Sequence, residues 1–307
     1  MATVELPVRV KEPGVPISIV IPTYCRDQVL LDTLDSLFRL QPRAAEILVV
    51  DQTPAHVPET EARLRQLDGA GSIRWLRLDR PSIPGAMNTG LLRAKEGIVL
   101  FLDDDIVPDG GLVAAHLRAH MEDGVGLVAG RVLQPWDVTT SGAFDVSTFR
   151  FSSTQRCLVC GFMGGNFSVK RALGLTLGGF DENFVHVAYR FEADFADRLL
   201  AMGVRILFEP AASIRHLKVP AGGTRVYGDH LRTVRPSHAV GEYYYLLRRW
   251  RSSYALPRLF RRPIAAITTR HHLRRPWWIP VTIAAEVLGF CWGLGLALRG
   301  PRYLRRV

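Results

Sequence analysis

The stretch FLDDDIVP (101–108) places three consecutive aspartates, Asp103, Asp104 and Asp105, directly after an apolar run. Like charges crowded at the end of a strand repel one another unless a cation stands among them. Oxygen-rich groups of this kind suit hard divalent cations. On spacing alone three readings stand: a metal site, a cap for the next helix, or a solvated turn. Thr23 and Tyr24 close ISIVIPTY, and Asp51 closes EILVVDQT, where it could equally be a turn-forming acid. In YRFEADFADRLLAMG, Asp194 stands four residues before Arg198, the spacing of a helical ion pair, and Glu192 lies near the helix start. An acid there can serve as a general base or simply answer the helix dipole. In GGNFSVKR, Gly164, Gly165 and Asn166 either let a substrate approach the backbone or form a tight turn. His216, in SIRHLK, is a lone histidine, either a metal ligand or a structural residue.

These residues must be positioned by the elements between them. Short apolar runs alternate with amphipathic segments: strands at 17–24, 46–53, 73–78 and 97–104, helices at 29–40, 60–67 and 84–94. The strands are continuous in Val, Ile and Leu, as expected when helices cover both faces of a parallel sheet. In such open sheets ligands bind beyond the carboxyl ends of the strands, so Thr23, Tyr24, Asp51 and Asp103 to Asp105 should face one crevice. A dinucleotide site would need G-x-G-x-x-G after the first strand, and PTYCRDQ has no glycine. Further on come a strand at 126–133, a less regular stretch at 134–156 and a helix at about 189–202 ended by Gly203. A strand at 205–210 and an extended segment at 213–218 follow.

The chain of 307 residues suits one α/β domain with an appendage, or two modest domains. Its net charge of +10 is concentrated in an arginine-rich C-terminal region. Four cysteines make no disulfide framework, and Cys157 and Cys160 form a lone CxxC that reads as two thiols in a reducing cytoplasm. The opening MATVELPVRVKEPGVP has no apolar core, so no signal peptide is expected and the catalytic part should stay cytosolic.

The motifs SIVIPTYCR, EILVVDQT, GAMNTGLLRAKEGIVLFLDDD, GGNFSVKR, GGFDENF and EADFADRLLAMG, in that order, resemble the family 2 glycosyltransferases with the GT-A fold. The resemblance covers 16–218. It implies an α/β chain with an open, mixed, mainly parallel sheet and helices on both faces. It also implies roles. Pro22, Thr23 and Tyr24 flank the donor base, Asp51 contacts the nucleotide, and Asn88 belongs to the donor-side helix. Asp103 and Asp105 are the outer acids of D-x-D, with Asp103 and Asp104 on the donor side and Asp105 reaching the metal. His216 would be a further metal ligand and Glu192 the general base, with Gly164, Gly165, Asn166 and Asp194 on the acceptor side. Two departures are visible: VVDQT lacks the second acid common in VVDDGS, and Met87 stands where an arginine often precedes the asparagine. The implied reaction is inverting transfer from a nucleotide-sugar donor to a hydroxyl or lipid-linked acceptor. A divalent cation, manganese or magnesium, would assist.

Around this domain the sequence suggests an N-terminal extension (1–15), an acceptor-side loop or lid and linker (219–257) and a helical, membrane-associating C-terminal region (258–307). The lid region contains the triple tyrosine Tyr243, Tyr244 and Tyr245. The run 277–298 is 22 residues long, enough to span a bilayer, and opens with paired tryptophans. Glu286 in its middle and arginines at both ends complicate a simple span, so an in-plane or re-entrant arrangement fits at least as well. The alternative is a buried helix or an oligomer interface, and homo-oligomerisation is compatible with it. The expected location is the cytoplasmic face of a membrane. Nothing resembles a nucleic-acid reader, so no nucleic-acid partner is expected. The lipid-seeking tail favours a lipid-linked glycan or polyprenyl phosphate as acceptor. A nucleotidyltransferase would need a Gly-rich basic loop that PTYCRDQ lacks, and a non-catalytic nucleotide-sugar-binding scaffold is the rival of another class.

Overall fold

A computed structural model describes residues 14–137 and 149–304. Almost all of the N-terminal extension expected over 1–15, and the middle of the stretch 134–156, lie outside these residues. The first half follows the alternation of the sequence: β1 (Val15–Thr23), α1 (Gln28–Phe38), β2 (Ala44–Asp51), α2 (Pro58–Gly69), β3 (Arg74–Arg77), α3 (Ile83–Arg93) and β4 (Ile98–Leu102). α3 starts cleanly because Ser82 Oγ accepts the Gly85 N–H and proline occupies its first turn. Then come β5 (Ile106–Pro108), α4 (Leu112–Ala119), β6 (Val125–Leu133), β7 (Cys157–Val159), β8 (Asn166–Lys170), α5 (Arg171–Thr176), α6 (Phe191–Ala201) and β9 (Arg205–His216). The strand and the extended segment expected at 205–210 and 213–218 are one continuous strand, β9.

The sheet runs β3-β2-β1-β4-β8-β6-β9-β5, with β7 beside β9. Pairing is parallel from β3 through β2 and β1 to β4, antiparallel at β4–β8 and β8–β6, and parallel again at β6–β9. β5 and β7 pair antiparallel with β9. Alternate strand residues enter opposite cores. Ile17, Ile19, Ile21, Val49 and Leu100 pack with Leu30, Leu34 and Leu64 of α1 and α2. Val20, Leu48, Val50, Val99 and Phe101 pack with Met87 and Leu91 of α3 and Phe195 of α6. Burial on both faces explains why these strands lack polar alternation.

The C-terminal region adds α7 (Val240–Arg248), α8 (Ala255–Ile267), α9 (Arg270–Arg274) and α10 (Ile279–Arg299). The expected lid divides in two. The 3-10 turn Gly223–Tyr227 lies at the cavity described below, whereas Tyr243 to Tyr245 are packing residues of α7. Tyr244 is fully buried, edge-on to Phe184, and its hydroxyl donates to Asp181 at 2.6 Å.

Candidate active site

Where β1 and β4 end and α6 begins, a cavity of about 590 Å³ opens. Pro22, Thr23 and Tyr24, Asp103 to Asp105 and His216, and Gly164, Gly165 and Glu192 all line it. Residues up to 194 positions apart therefore meet because the sheet order brings their strand ends together.

His216 reaches the aspartates through strand register. β5 and β9 pair so that Ile106 lies opposite His216, which sets the imidazole beside the residue just before Ile106. His216 Nε2 stands 3.1 Å from Asp105 Oδ1 and 3.8 Å from Asp103 Oδ2, and its Nδ1 faces Gln134 Oε1 at 3.2 Å. One ligand atom from each of Asp103, Asp105 and His216 can be chosen with all three within 4.8 Å of one another. Burial by itself would lower the His216 pKa, but its hydrogen bond to Asp105 and the charges of Asp103 and Asp105 raise it. Burial would raise Asp105, yet His216 and Arg26 hold it below the usual carboxylate range. Asp103 is braced by Gly165: the Asp103 N–H donates to Gly165 O at 3.1 Å. A Cβ at Gly165 would fall 2.1 Å from Asp103 Oδ2, so glycine is required there by close approach.

Asp104 is buried and fully engaged by its neighbours. Its Oδ2 accepts from Thr23 Oγ1 at 2.7 Å, tying the end of β1 to that of β4, and its Oδ1 lies 3.3 Å from Arg26 Nε. Burial pushes its pKa up to about 7 against the pull of Arg26. Arg26 is the cation that the three aspartates require. It is 4 % exposed, its Nη2 stands 3.4 Å from Asp105 Oδ2, and its Nη1 donates to the Val219 and Ala221 carbonyls.

Glu192 occupies the first turn of α6, half-buried against the cavity. Burial drives its pKa up to about 7, although the backbone N–H groups of Glu192 itself and Gly164 pull it down. The backbone leading to it is strained: His186, Ala188 and Arg190 have φ of 58°, 53° and 78°. Among the described residues the other non-glycine positive φ values belong to Cys25, between Tyr24 and Arg26, and Lys218, two residues past His216. Each costs about 1–3 kcal/mol and persists where surrounding structure enforces it, a pattern that gathers at functional sites.

Four expected site residues are turned to other tasks. Asn88 clasps the Phe180 backbone, donating to its carbonyl at 2.9 Å and accepting its N–H at 2.7 Å. Asn166 is spent on the Arg131 and Ala212 carbonyls and on His116. Asp194 faces Arg198, Arg248 and Arg249, fastening α7 to α6. Asp51 is fully buried and accepts from the Thr53 N–H and Trp75 Nε1, with His56 Nε2 also at 2.8 Å. Its neighbour Gln52 lines the cavity instead. Residues given no role by the sequence also line it: Arg26, His186, Arg190, Arg225 and Tyr227. Of these only Arg26 had a signal, as the nearest basic residue to the end of the first strand.

Two carboxylates and an imidazole make a donor set that fits a divalent cation. A carboxyl titrating near neutrality in the same cavity, Glu192, can accept a proton.

The sequence profile described as glycosyl transferase family 2 matches residues 18–172. Among solved structures, the chain is similar to GalNAc-T7 with UDP, GalNAc and Mn2+, at 18% identity and TM-score 0.56, covering 67% of this chain. It spans only 44% of that protein. It is also similar to the mannosyltransferase PcManGT from Pyrobaculum calidifontis in complex with GDP-Man and Mn2+, at 20% identity and TM-score 0.53. That likeness covers 93% of this chain and 79% of the other. A search of curated proteins finds no match. The two structural likenesses carry the fold, the GT-A arrangement of a mixed sheet with helices.

Proposed function

The chain belongs to glycosyl transferase family 2, and from that premise we propose that its cavity moves a sugar, with inversion, from a nucleotide-sugar donor to a hydroxyl or lipid-linked acceptor. The observation that carries this reading is the convergence of Asp103, Asp105 and His216 with Glu192 in one cavity. Asp103, Asp105 and His216 would hold a divalent cation, manganese or magnesium, and both similar structures contain Mn2+ beside a nucleotide or nucleotide sugar. Such a cation, when bound, neutralises charge developing on the nucleoside diphosphate leaving group.

The remaining work belongs to the chain. Pro22, Thr23 and Tyr24 wall the donor-base side, with Gln52 taking the place expected for Asp51. Arg225, on the same cavity, offers a positive charge to the diphosphate. Glu192 takes the proton of the acceptor hydroxyl as that oxygen attacks the anomeric carbon and the sugar–phosphate bond breaks. Attack opposite the leaving group inverts the anomeric centre. A base with a pKa of about 7 is well matched to that task near neutral pH. Gly164, without a side chain, lets Glu192 sit close against it: a Cβ there would fall 3.2 Å from Glu192 Oε1.

A panel of nucleotide sugars screened for thermal stabilisation, with and without Mn2+, tests this. A ligand that binds the native state raises its melting temperature. One nucleotide class should do so only with the cation; stabilisation by none, or equally without metal, would contradict the reading.

A further inference from the structure

α10 is long and apolar enough to cross a membrane by length and composition. Its 21 residues extend about 32 Å at 1.5 Å per residue. Its surroundings argue against a span. Thr282 Oγ1 meets His272 Nε2 at 2.8 Å near the start of the helix. Glu286, the one acid in the run, is buried against Arg262 at 3.0 Å and the Tyr243 hydroxyl at 2.8 Å. Gly289 and Gly293 let α7 come so close that a Cβ would meet Ala239 at 2.7 Å and Tyr243 at 2.9 Å. Past the helix, the Arg302 N–H donates to Asp181 and the Leu304 N–H to the Gly178 carbonyl. One face of α10 is thus packed on α7, α8 and α9, and the chain just past it is fixed to Asp181 and Gly178 of the sheet domain. Contacts at both ends of α10 hold it along the surface of the protein.

Its opposite face is uncovered and apolar: Ile283, Val287, Leu288, Trp292, Leu294 and Leu298 are exposed. Neighbouring α8 exposes Leu256, Phe260 and Ile264 at intervals of four, one stripe of a helix, and Leu273 and Trp277 follow. Charge says what covers this surface. Between residues 251 and 304 stand nine arginines and one acid, Glu286, which is turned inward. Arg261, Arg270, Arg274 and Arg275 are exposed. Apolar stripes bordered by arginines complement an anionic lipid surface.

We propose that α8 to α10 form an in-plane docking face for an anionic phospholipid bilayer, with α10 lying along the membrane surface. The stripe also reaches the cavity: Trp292 packs edge-on against His186 at 5.1 Å, and His186 stacks on Tyr227 at 4.8 Å. Both His186 and Tyr227 line the cavity. Given the glycosyl-transfer reading, on which this clause alone rests, a lipid-linked acceptor would lie along the stripe and enter past His186.

The test is co-sedimentation of the full chain with vesicles of phosphatidylcholine alone or mixed with phosphatidylglycerol. Binding should require the anionic lipid, weaken with salt and be released by alkaline carbonate. Replacing Arg261, Arg270, Arg274 and Arg275 with glutamine should lower partitioning at least about tenfold, and Phe260→Ser with Ile264→Ser should also weaken it. Absence of binding, equal binding to neutral vesicles, or retention in the carbonate pellet would overturn the proposal. Wild-type protein alone decides those outcomes, so a variant that unfolds does not obscure them. Donor-induced thermal stabilisation measured without vesicles reads the cavity separately, so failure of docking and failure of the transferase reading are distinguishable.

Discussion

Replacing Glu192 with glutamine should stop transfer while making the protein harder to unfold. The carboxyl titrates at about 7 in the folded chain against a reference of 4.5. A raised carboxyl pKa means that the folded state holds the proton more tightly than the unfolded state between those values. Its ionisation therefore costs nothing below pH 4.5, an increasing amount as pH rises, and its full amount above pH 7. At about 1.4 kcal/mol per unit the ceiling is about 3 kcal/mol. Glu192 is half-buried and keeps part of its hydration, so about 1–3 kcal/mol is the realistic range. Urea unfolding of wild type and Glu192→Gln at pH 8 and pH 4.5 measures it. The variant should be more stable at pH 8 and equal to wild type at pH 4.5. In the same preparations, donor binding should survive while transfer falls by about 10²-fold or more. Wild-type kcat/KM should rise about tenfold per pH unit up to about 7 and then level off. Equal stability at both pH values would refute the buried-carboxylate reasoning, and full activity in the variant would place the base elsewhere.

Two further outcomes follow from groups outside the cavity. His116 and His120 flank the Ser168 hydroxyl, both at 2.8 Å, and burial lowers their pKa values to about 4 and about 3. The unfolded chain therefore takes up their protons first as pH falls below 6.5, so wild type should lose about 1.4 kcal/mol per pH unit relative to His120→Gln. Parallel urea profiles for the two proteins would contradict this. Asp194→Ala should cost about 3–5 kcal/mol, because Arg198, Arg248 and Arg249 lose their shared partner. A raised acceptor KM with unchanged stability would instead return Asp194 to the acceptor site.

The early strands and helices were legible because strands buried on both faces leave unbroken Val, Ile and Leu runs, and α1 and α3 carry clear helical periodicity. The tips of those strands were legible too: Thr23, Tyr24 and Asp103 to Asp105 reach one cavity, as Glu192 and His216 do from elsewhere. What a polar residue does once there was less legible. Asp51 and Gln52 are adjacent, and side-chain alternation along the strand end decides which one faces the cavity. Asp194 lies on the buried side of α6, and its partners Arg248 and Arg249 come from α7, some fifty positions away, which no local pattern reveals. Asn88 had the type expected of a donor contact, yet its partners lie 92 residues on at Phe180. The short β5, β7 and β8 took shape only from their neighbours. The apolar run at 277–298 announced a helix but not its bed: that Glu286 turns inward depends on Arg262 and Tyr243, which sequence distance conceals.

The central claim is that Asp103, Asp105 and His216 serve cation-dependent consumption of a nucleotide sugar in this cavity. Its most direct test is nucleoside diphosphate released from a panel of nucleotide sugars with Mn2+, by wild type and by Asp105→Ala confirmed as folded. Wild type should consume one donor class, lose that activity under chelation, and have no counterpart in the variant. Turnover by Asp105→Ala at the wild-type rate, or wild-type turnover that persists under chelator, would contradict the account.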